Sequence, residues 1–162
     1  MRALIAILVV AGLSTACGDD AAPLAQPSPG STMPTVTGAT GEKPAVTVPD
    51  AAPPATLQQK DIIVGTGDEA TAGSQVTVHY VGIAWSTKVQ FDASWDNGSP
   101  FPFPLGARRV IAGWDQGVAG MKVGGRRLLV IPPDLGYGAA GFPPDIAENE
   151  TLVFVVDLLS VG

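Results

Sequence analysis

Cysteine and histidine are almost missing from this sequence, in which Cys17 is the only cysteine and His79 the only histidine. One cysteine excludes an internal disulfide framework and a cysteine-based metal site. His79 has no second metal ligand in register with it, so a structural role is favoured over metal binding or acid–base chemistry. The sequence also has no G-x-S-x-G nucleophile elbow. We therefore expect a function that uses no activated nucleophile, no metal and no cofactor.

Basic residues and long apolar runs are also scarce. Nine basic residues against 15 acidic ones give a net charge of -6, which is the wrong sign for a nucleic-acid-binding protein or a polybasic membrane-surface protein. The apolar run from Ala3 to Leu13 has 11 residues, whereas a membrane-spanning helix requires about 20. With Arg2 before it and small residues after it, this run is typical of an export signal.

The end of that segment, Leu13-Ser14-Thr15-Ala16-Cys17, resembles the lipobox of bacterial lipoproteins, in which the cysteine is lipidated and becomes the mature N-terminus. Ser14 stands where the motif usually has leucine, which leaves open an ordinary secretory peptide cleaved near Ala16. We expect a lipoprotein signal peptide over residues 1–16 and a lipid on Cys17. The protein would then be exported and anchored to a bacterial membrane, on its periplasmic or extracellular face.

The segment after the cysteine has a composition typical of disorder. From Gly18 to about Ala55 it has no aromatic residue and no sustained periodicity, and it contains eight prolines scattered among Ala, Thr, Ser and Gly. Such a segment buries too little apolar surface to offset the entropy of the chain. The sequence therefore predicts a disordered Pro/Ala/Thr-rich tether over residues 17–55 and one folded domain over residues 56–162.

Within the domain, apolar periodicity predicts strands and one short helix. Val110, Trp114 and Val118 recur at i, i+4 and i+8, which places them on one helical face, and Gly120 closes the helix. Two segments alternate instead, as strands do; their inward positions are Val76, Val78 and Tyr80, and Leu152, Phe154, Val156 and Leu158. Pro102, between Phe101 and Phe103, suggests an edge strand. The fold class predicted is α+β, a twisted antiparallel β-sheet of about five strands wrapped around one short α-helix.

A tryptophan on the face of so short a helix requires a large apolar partner. All seven tyrosine and phenylalanine residues of the chain lie in the surrounding strands and loops, namely Tyr80, Phe91, Phe101, Phe103, Tyr137, Phe142 and Phe154. Either these side chains form a plain core, or they line a pocket with the Trp114 indole as its floor.

Eight blocks in the domain occur in an order and at a spacing that point to one family. They are Val78-His79-Tyr80-Val81-Gly82, Phe91-Asp92-Ala93-Ser94, Pro100-Phe101-Pro102-Phe103, Leu105-Gly106, Val110-Ile111-Ala112-Gly113-Trp114-Asp115-Gln116-Gly117-Val118, Met121-Lys122-Val123-Gly124, Ile131-Pro132-Pro133-Asp134-Leu135-Gly136-Tyr137-Gly138 and Thr151-Leu152-Val153-Phe154. Together they resemble the FKBP-type peptidyl-prolyl cis-trans isomerases, over about Leu57 to Gly162.

The resemblance implies a ligand pocket between sheet and helix. The residues it implies for catalysis are Asp92, Tyr137 and Tyr80, with Tyr80 holding the Asp92 carboxylate at the pocket edge. The Tyr137 hydroxyl and the Ile111 backbone amide would donate to a ligand carbonyl. The residues it implies for substrate binding are Phe91, Phe101, Val110, Ile111, Trp114, Ile146 and Phe154. Taken without the resemblance, Asp92 is also compatible with a simple turn residue after a strand.

The implied activity is isomerisation of Xaa-Pro bonds in exported proteins, with proline-containing polypeptides as partners and macrolides such as tacrolimus or rapamycin as further ligands. A non-catalytic module that holds proline-containing segments in the same pocket is the alternative, and a plain structural or host-contact lipoprotein is a third. Asn97, Arg109, Phe142 and Asp145 depart from the family pattern. They are expected at the pocket rim, where they affect substrate preference and macrolide affinity.

Overall fold

The structure, a computed structural model, describes residues 33–162. Within that range the chain forms eight strands and one α-helix. The strands are β1 (Thr35–Thr37), β2 (Ala45–Thr47), β3 (Gln58–Ile63), β4 (Gln75–Ala84), β5 (Gln90–Ala93), β6 (Phe101–Pro104), β7 (Arg126–Ile131) and β8 (Leu152–Val161), and the helix is α1 (Ala112–Gly117). The predicted signal peptide and the predicted lipidation site, Cys17, lie outside the described residues.

Six of the strands form one antiparallel sheet in the order β3-β7-β8-β4-β5, with β6 also paired to β4. The long strand β4 pairs with β8 along one edge, and with β6 and then β5 along the other. Among the described strands β6 pairs only with β4, so the edge position predicted from Pro102 is confirmed.

The predicted α+β fold, an antiparallel sheet with one short helix, is confirmed. About five strands was too few, because the main sheet has six and β1 and β2 form a separate two-stranded sheet. The missed strands β1 and β2 have three residues each, too few to show an alternating pattern in the sequence.

The inner face of the sheet and the helix enclose one apolar cluster. The predicted inward positions of β4 and β8 all belong to it or pack against it. Trp114 and Val118 are buried there and Val110 packs against the cluster, so the predicted inward direction of these three residues is confirmed. The helix is shorter than predicted, because Val110 precedes α1 and Val118 caps it. Within residues 33–162, no helix is long and apolar enough to cross a bilayer.

Two glycines allow α1 to lie directly against β7. A Cβ atom on Gly113 would lie 2.4 Å from Cγ2 of Ile131, and one on Gly117 would lie 2.7 Å from Cδ2 of Leu129. Real Cβ atoms do not approach other heavy atoms so closely, because packed atoms repel at that range. The contact therefore depends on both glycines, and it fixes the depth at which Trp114, between them in sequence, enters the core.

Residues 33–55, which we call the N-terminal arm, fold onto the outer face of the sheet. The prediction of a disordered tether as far as residue 55 is wrong for this part. Val36 and Val46 are paired across the β1–β2 hairpin, and with Val48 they pack on an outer apolar cluster that includes Val81 and Val155. The arm has too few apolar residues to fold alone, but the sheet supplies the apolar surface that its own composition lacks.

Arg126 fixes the arm through polar contacts. Its side chain is 1% exposed and donates two hydrogen bonds, both of 2.6 Å, to the Asp157 carboxylate. It also donates to the backbone carbonyls of Gly38, at 3.1 Å, and Glu42, at 2.7 Å. A buried guanidinium is tolerated only when its donors are satisfied. The arm therefore completes the hydrogen bonding of a charge inside the protein.

Candidate functional site

A cavity of about 200 Å³ opens between α1, the inner face of the sheet and the loops beside it. Ten residues line it, namely Tyr80, Phe91, Asp92, Phe101, Arg109, Val110, Ile111, Trp114, Tyr137 and Phe154. Nine of these are residues that the sequence predicted for catalysis or substrate binding. The structure thus brings together side chains from β4, β5, β6, α1 and β8 that are separated by as many as 74 positions, Tyr80 to Phe154.

Trp114 and Phe154 are the most buried side chains of the lining, each with 4% of its surface exposed. The rings of Tyr80 and Phe154 meet the Trp114 ring edge-on, with centroids 5.1 and 5.2 Å away, and Phe101 does so at 6.1 Å. Edge-to-face contacts at these distances are favourable and fix ring orientation. Among the described residues, the indole Nε1 has no hydrogen-bond partner, so the floor of the cavity holds no competing polar contact.

The Asp92 carboxylate lies at the edge of this aromatic cavity. The Tyr80 hydroxyl donates to Asp92 Oδ2 at 2.5 Å. Burial, the hydrogen bond to Asp92 and the Asp92 charge together raise the pKa of Tyr80 well above its ordinary value. Tyr80 therefore remains protonated at neutral pH and acts as a permanent donor that holds the carboxylate in place.

Two further donors border the cavity without partners of their own. The Tyr137 side chain is 39% exposed, and burial of its hydroxyl and the Asp92 charge raise its pKa. Neither the Tyr137 hydroxyl nor the Ile111 backbone N–H takes part in the hydrogen bonds found within residues 33–162. Both are free to donate to a carbonyl group of a bound ligand.

Ser94 contributes to the site from behind and was missed by sequence reasoning. Its Oγ accepts the Tyr80 backbone N–H at 2.8 Å and lies 2.9 Å from His79 Nδ1. The His79 ring in turn stacks on Trp95 with centroids 4.1 Å apart. These contacts fix the backbone of Tyr80. They also give hydrogen-bond partners to the hydroxyl of Ser94, a polar side chain that is only 2% exposed. His79 itself is not in the lining, and residues 33–162 contain no group of three or more His, Cys, Asp or Glu side chains placed to bind a metal.

Gly82 was also missed, although its position is decisive for two rings of the lining. A Cβ atom there would lie 2.7 Å from both Phe154 Cε1 and Phe91 Cζ. These two rings meet edge-on with centroids 5.6 Å apart. A glycine inside a strand often marks such a close approach, and this was the available signal in the sequence.

The loop that leads into α1 is fixed by Asp115. Its two carboxylate oxygens accept the backbone N–H groups of Gly106, at 2.8 Å, and Arg108, at 3.0 Å. At the other end of the helix, Arg127 donates to the carbonyls of Gly117 and Ala119. Cations and donors are favourable at a helix C-terminus. Charged side chains therefore hold both the loop before the helix that carries Trp114 and the chain at the end of that helix.

Ile146 is the one predicted lining residue that the structure places elsewhere. It is 3% exposed and belongs to the apolar core instead of the cavity wall. Two backbone hydrogen bonds between Phe142 and Ile146 close a tight turn, which buries Ile146 and leaves Phe142 59% exposed. The Phe142 ring packs on Tyr137, with centroids 5.7 Å apart, and so extends the aromatic rim.

A larger hollow of about 660 Å³ lies between the N-terminal arm and residues 147–151. Its lining contains one aromatic residue, Trp85, together with Lys88, Asp50 and Glu150. Ser86 occupies both oxygens of the Glu150 carboxylate, and Lys88 is paired with Asp50. Since it has one aromatic ring and three of its four charged side chains already have partners, this hollow is a weaker candidate site than the smaller aromatic cavity.

Comparison with known proteins identifies the family to which this chain belongs. The sequence profile of the FKBP-type peptidyl-prolyl cis-trans isomerases matches residues 67–159. An FK506-binding protein of Streptomyces anulatus is 58% identical over 121 residues, which cover 74% of this chain and 98% of that protein. A probable FK506-binding protein of Corynebacterium glutamicum is 49% identical over 119 residues, covering 74% of this chain and 98% of the relative.

Solved structures agree with this assignment. The crystal structure of AtFKBP13 matches with a TM-score of 0.61 and 35% identity, covering 65% of this chain and 93% of that one. The crystal structure of FkpA from Escherichia coli matches with a TM-score of 0.59 and 42% identity, covering 65% of this chain and 47% of FkpA. The chain belongs to the FKBP-type peptidyl-prolyl cis-trans isomerase family.

Proposed function

We propose that the aromatic cavity above Trp114 is the site at which this isomerase acts on Xaa-Pro bonds of exported proteins. The observation that carries this proposal is the combination of six aromatic rings in one cavity of about 200 Å³ with an oriented carboxylate at its edge. A proline ring is compact and apolar, and the face of the Trp114 indole suits it. Nothing in the lining is placed to act as a nucleophile.

Removal of water is the proposed source of catalysis. The Xaa-Pro bond is a partial double bond, and the barrier to its rotation is about 18–20 kcal/mol. In the twisted transition state the amide loses conjugation and becomes less dipolar, so water stabilises the planar ground state more strongly. An apolar cavity that excludes water therefore favours the transition state selectively, which is the requirement for catalysis.

The polar groups around the cavity orient the substrate. Asp92, held by Tyr80, lies at the rim, while the Tyr137 hydroxyl and the Ile111 N–H are free donors for a substrate carbonyl. A few fixed polar groups in a mostly apolar pocket provide orientation without rehydrating the amide. Macrolides are proposed as competing ligands of this cavity, since the relatives are named FK506-binding proteins.

The test of this site is an isomerisation assay by NMR magnetisation exchange on the full chain, purified in detergent. Asp92→Val should lower kcat/KM for a proline peptide about ten- to hundredfold, because a charged hydrogen-bonding group contributes roughly 1.5–3 kcal/mol. Asp96→Val is the matched control, since Asp96 lies four positions along the chain, is exposed and pairs with Lys43 outside the cavity. Tacrolimus should inhibit the wild type.

Two results would contradict the proposal. Equal activity of Asp92→Val and Asp96→Val would reduce Asp92 to a turn residue. Tight tacrolimus binding without any turnover of proline peptides would identify the cavity as a binding module that holds proline-containing segments.

We also propose that the protein is exported and anchored through a lipid on Cys17. The support is the segment from Arg2 to Cys17, with its short apolar run and its lipobox-like end. Radiolabelled palmitate should enter the wild type in its bacterial host but not the Cys17→Ser variant. Equal labelling of the two proteins, or no labelling of either, would contradict the anchor and leave a secretory peptide cleaved near Ala16.

A further inference from the structure

Arg109 is the one cationic side chain among the ten that line the cavity. It is exposed, and it belongs to none of the four ion pairs found within residues 33–162. Two other arginines, Arg126 and Arg127, are buried and paired with Asp157 and Asp61. The guanidinium at the cavity is therefore free of the internal pairing that occupies those two.

The carboxylate on the helix that follows Arg109 is occupied by other contacts. Asp115, on α1, uses both of its oxygens to accept backbone N–H groups of Gly106 and Arg108. These hydrogen bonds fix the backbone of the loop just before Arg109, and therefore the position of the Arg109 Cα atom. The arginine is thus presented at the cavity by a loop of defined conformation.

A second cation lies along the path out of the cavity. Val110 lines both the cavity and a neighbouring hollow of about 420 Å³, which Arg108 also lines. A polypeptide that leaves the cavity across Val110 therefore meets Arg108 as well. Only part of a substrate fits within about 200 Å³, so residues flanking the proline extend beyond the cavity, where adjoining hollows such as this one are open to them.

The charges around the cavity are arranged asymmetrically. Asp92, on β5, is the one carboxylate of the lining and is held by Tyr80. The two cations, Arg108 and Arg109, lie in the loop before α1. The protein as a whole carries a net charge of -6 and repels acidic peptides. Any attraction of an acidic group to this site must therefore come from the nearby arginines, because the net negative charge of the protein acts against it.

We propose that Arg109, supported by Arg108, selects polypeptides that carry an acidic side chain directly before or after the reactive proline. This inference rests on the proposed function of the cavity and names the class of substrate that it prefers. A planar guanidinium binds a carboxylate through two parallel hydrogen bonds, which gives geometric selection as well as charge attraction. Asp92 disfavours the opposite placement, in which the substrate carboxylate would lie beside it.

The test compares peptide pairs that differ only by Glu or Gln, placed directly before the proline in one pair and directly after it in the other. Magnetisation exchange on the full-length protein gives kcat/KM for each peptide. In at least one pair the wild type should prefer the Glu peptide about two- to fivefold at low ionic strength, the range typical of exposed ion pairs. Salt at about 0.5 M should remove most of this preference.

Arg109→Glu should abolish or reverse the Glu:Gln preference. Lys122→Glu is the matched control, because it changes the net charge by the same amount and Lys122 lines a different hollow, with Gly65 and Met121. It should leave both the preference and the activity on Gln peptides unchanged.

A wild-type Glu:Gln ratio near one in both pairs would overturn the inference, as would an unchanged ratio in Arg109→Glu or an equal loss in Lys122→Glu. Failure of the proposed function is recognised separately, because the Gln peptides would then show no turnover at all.

Discussion

At the scale of single residues, variants of Trp114 test whether the floor of the cavity contributes to activity beyond its contribution to stability. Trp114→Ala removes the surface on which the proline ring rests and should lower kcat/KM at least about a hundredfold, while truncation of a buried aromatic costs about 3–5 kcal/mol of unfolding free energy. Trp85→Ala is the matched control, because Trp85 is 5% exposed but belongs to the outer cluster. Activity per folded molecule, with folding checked by denaturant titration, should fall only in Trp114→Ala.

Trp114→Phe should be milder than Trp114→Ala in both respects. It retains an aromatic floor and removes an indole N–H that has no partner among the described residues, and an unpaired buried donor costs about 1–3 kcal/mol. An equal loss of activity in the Phe and Ala variants would show that the indole itself, beyond its apolar surface, is required.

The chain has two tyrosines, Tyr80 and Tyr137. Their pKa shifts predict how the unfolding free energy changes at high pH. Burial and the Asp92 carboxylate raise the pKa of both above the ordinary value of 10.0. Above pH 10 the unfolded chain loses these protons while the folded chain keeps them, so the unfolding free energy falls as pH rises. Denaturant titrations from pH 8 to 11 should show a shallower fall in Tyr80→Phe than in the wild type, and parallel curves would contradict this.

At the scale of elements, the close contact of α1 with β7 determines whether the cavity has its shape. Gly113→Ala would place a methyl group 2.4 Å from Ile131 and must displace the helix. We expect a loss of about 1–3 kcal/mol in unfolding free energy and a several-fold loss of activity. Gln116→Ala, at an exposed position of the same helix, should leave the unfolding free energy unchanged, and an equal loss of stability in the two variants would argue against the contact.

Elements with a clear period were predictable, and the close contacts between them were not. The faces of β4, β8 and α1 followed from apolar spacing, and nine lining residues followed from the order of family blocks. Ile146 could not be placed, because a turn closed by backbone hydrogen bonds has no side-chain period. Ser94 and Gly82 matter because of their contacts with residues of neighbouring strands, and those contacts cannot be deduced from the sequence.

At the scale of the whole molecule, the N-terminal arm is part of the folded unit. A chain that begins at residue 56 would expose the outer apolar cluster and leave Arg126 without the carbonyls of Gly38 and Glu42. It should unfold at a denaturant concentration well below that of a chain beginning at residue 33 and should bind more of a hydrophobic dye. Since the cavity lies on the other face, both chains should retain isomerase activity while folded. Coincident unfolding curves would show that the arm contributes nothing.

Composition alone could not predict the arm, because its stability is not a local property. Proline-rich sequence with few apolar residues is typical of disorder when it is considered alone. Three apolar side chains, Val36, Val46 and Val48, are enough to hold the arm in place when they pack on the outer face of the sheet. The same argument explains why the folded unit includes residues 33–55, ahead of the boundary that composition predicts near residue 56.

The folded arm also limits how far the enzyme can work from its proposed lipid. Only 15 residues lie between Cys17 and Met33, and even a fully extended chain over those 16 Cα–Cα steps spans at most about 55 Å. The boundary expected from composition would have allowed more than twice this reach. The catalytic domain would thus serve polypeptides emerging within a thin layer beside the bilayer, and newly translocated chains would meet it before they diffuse away.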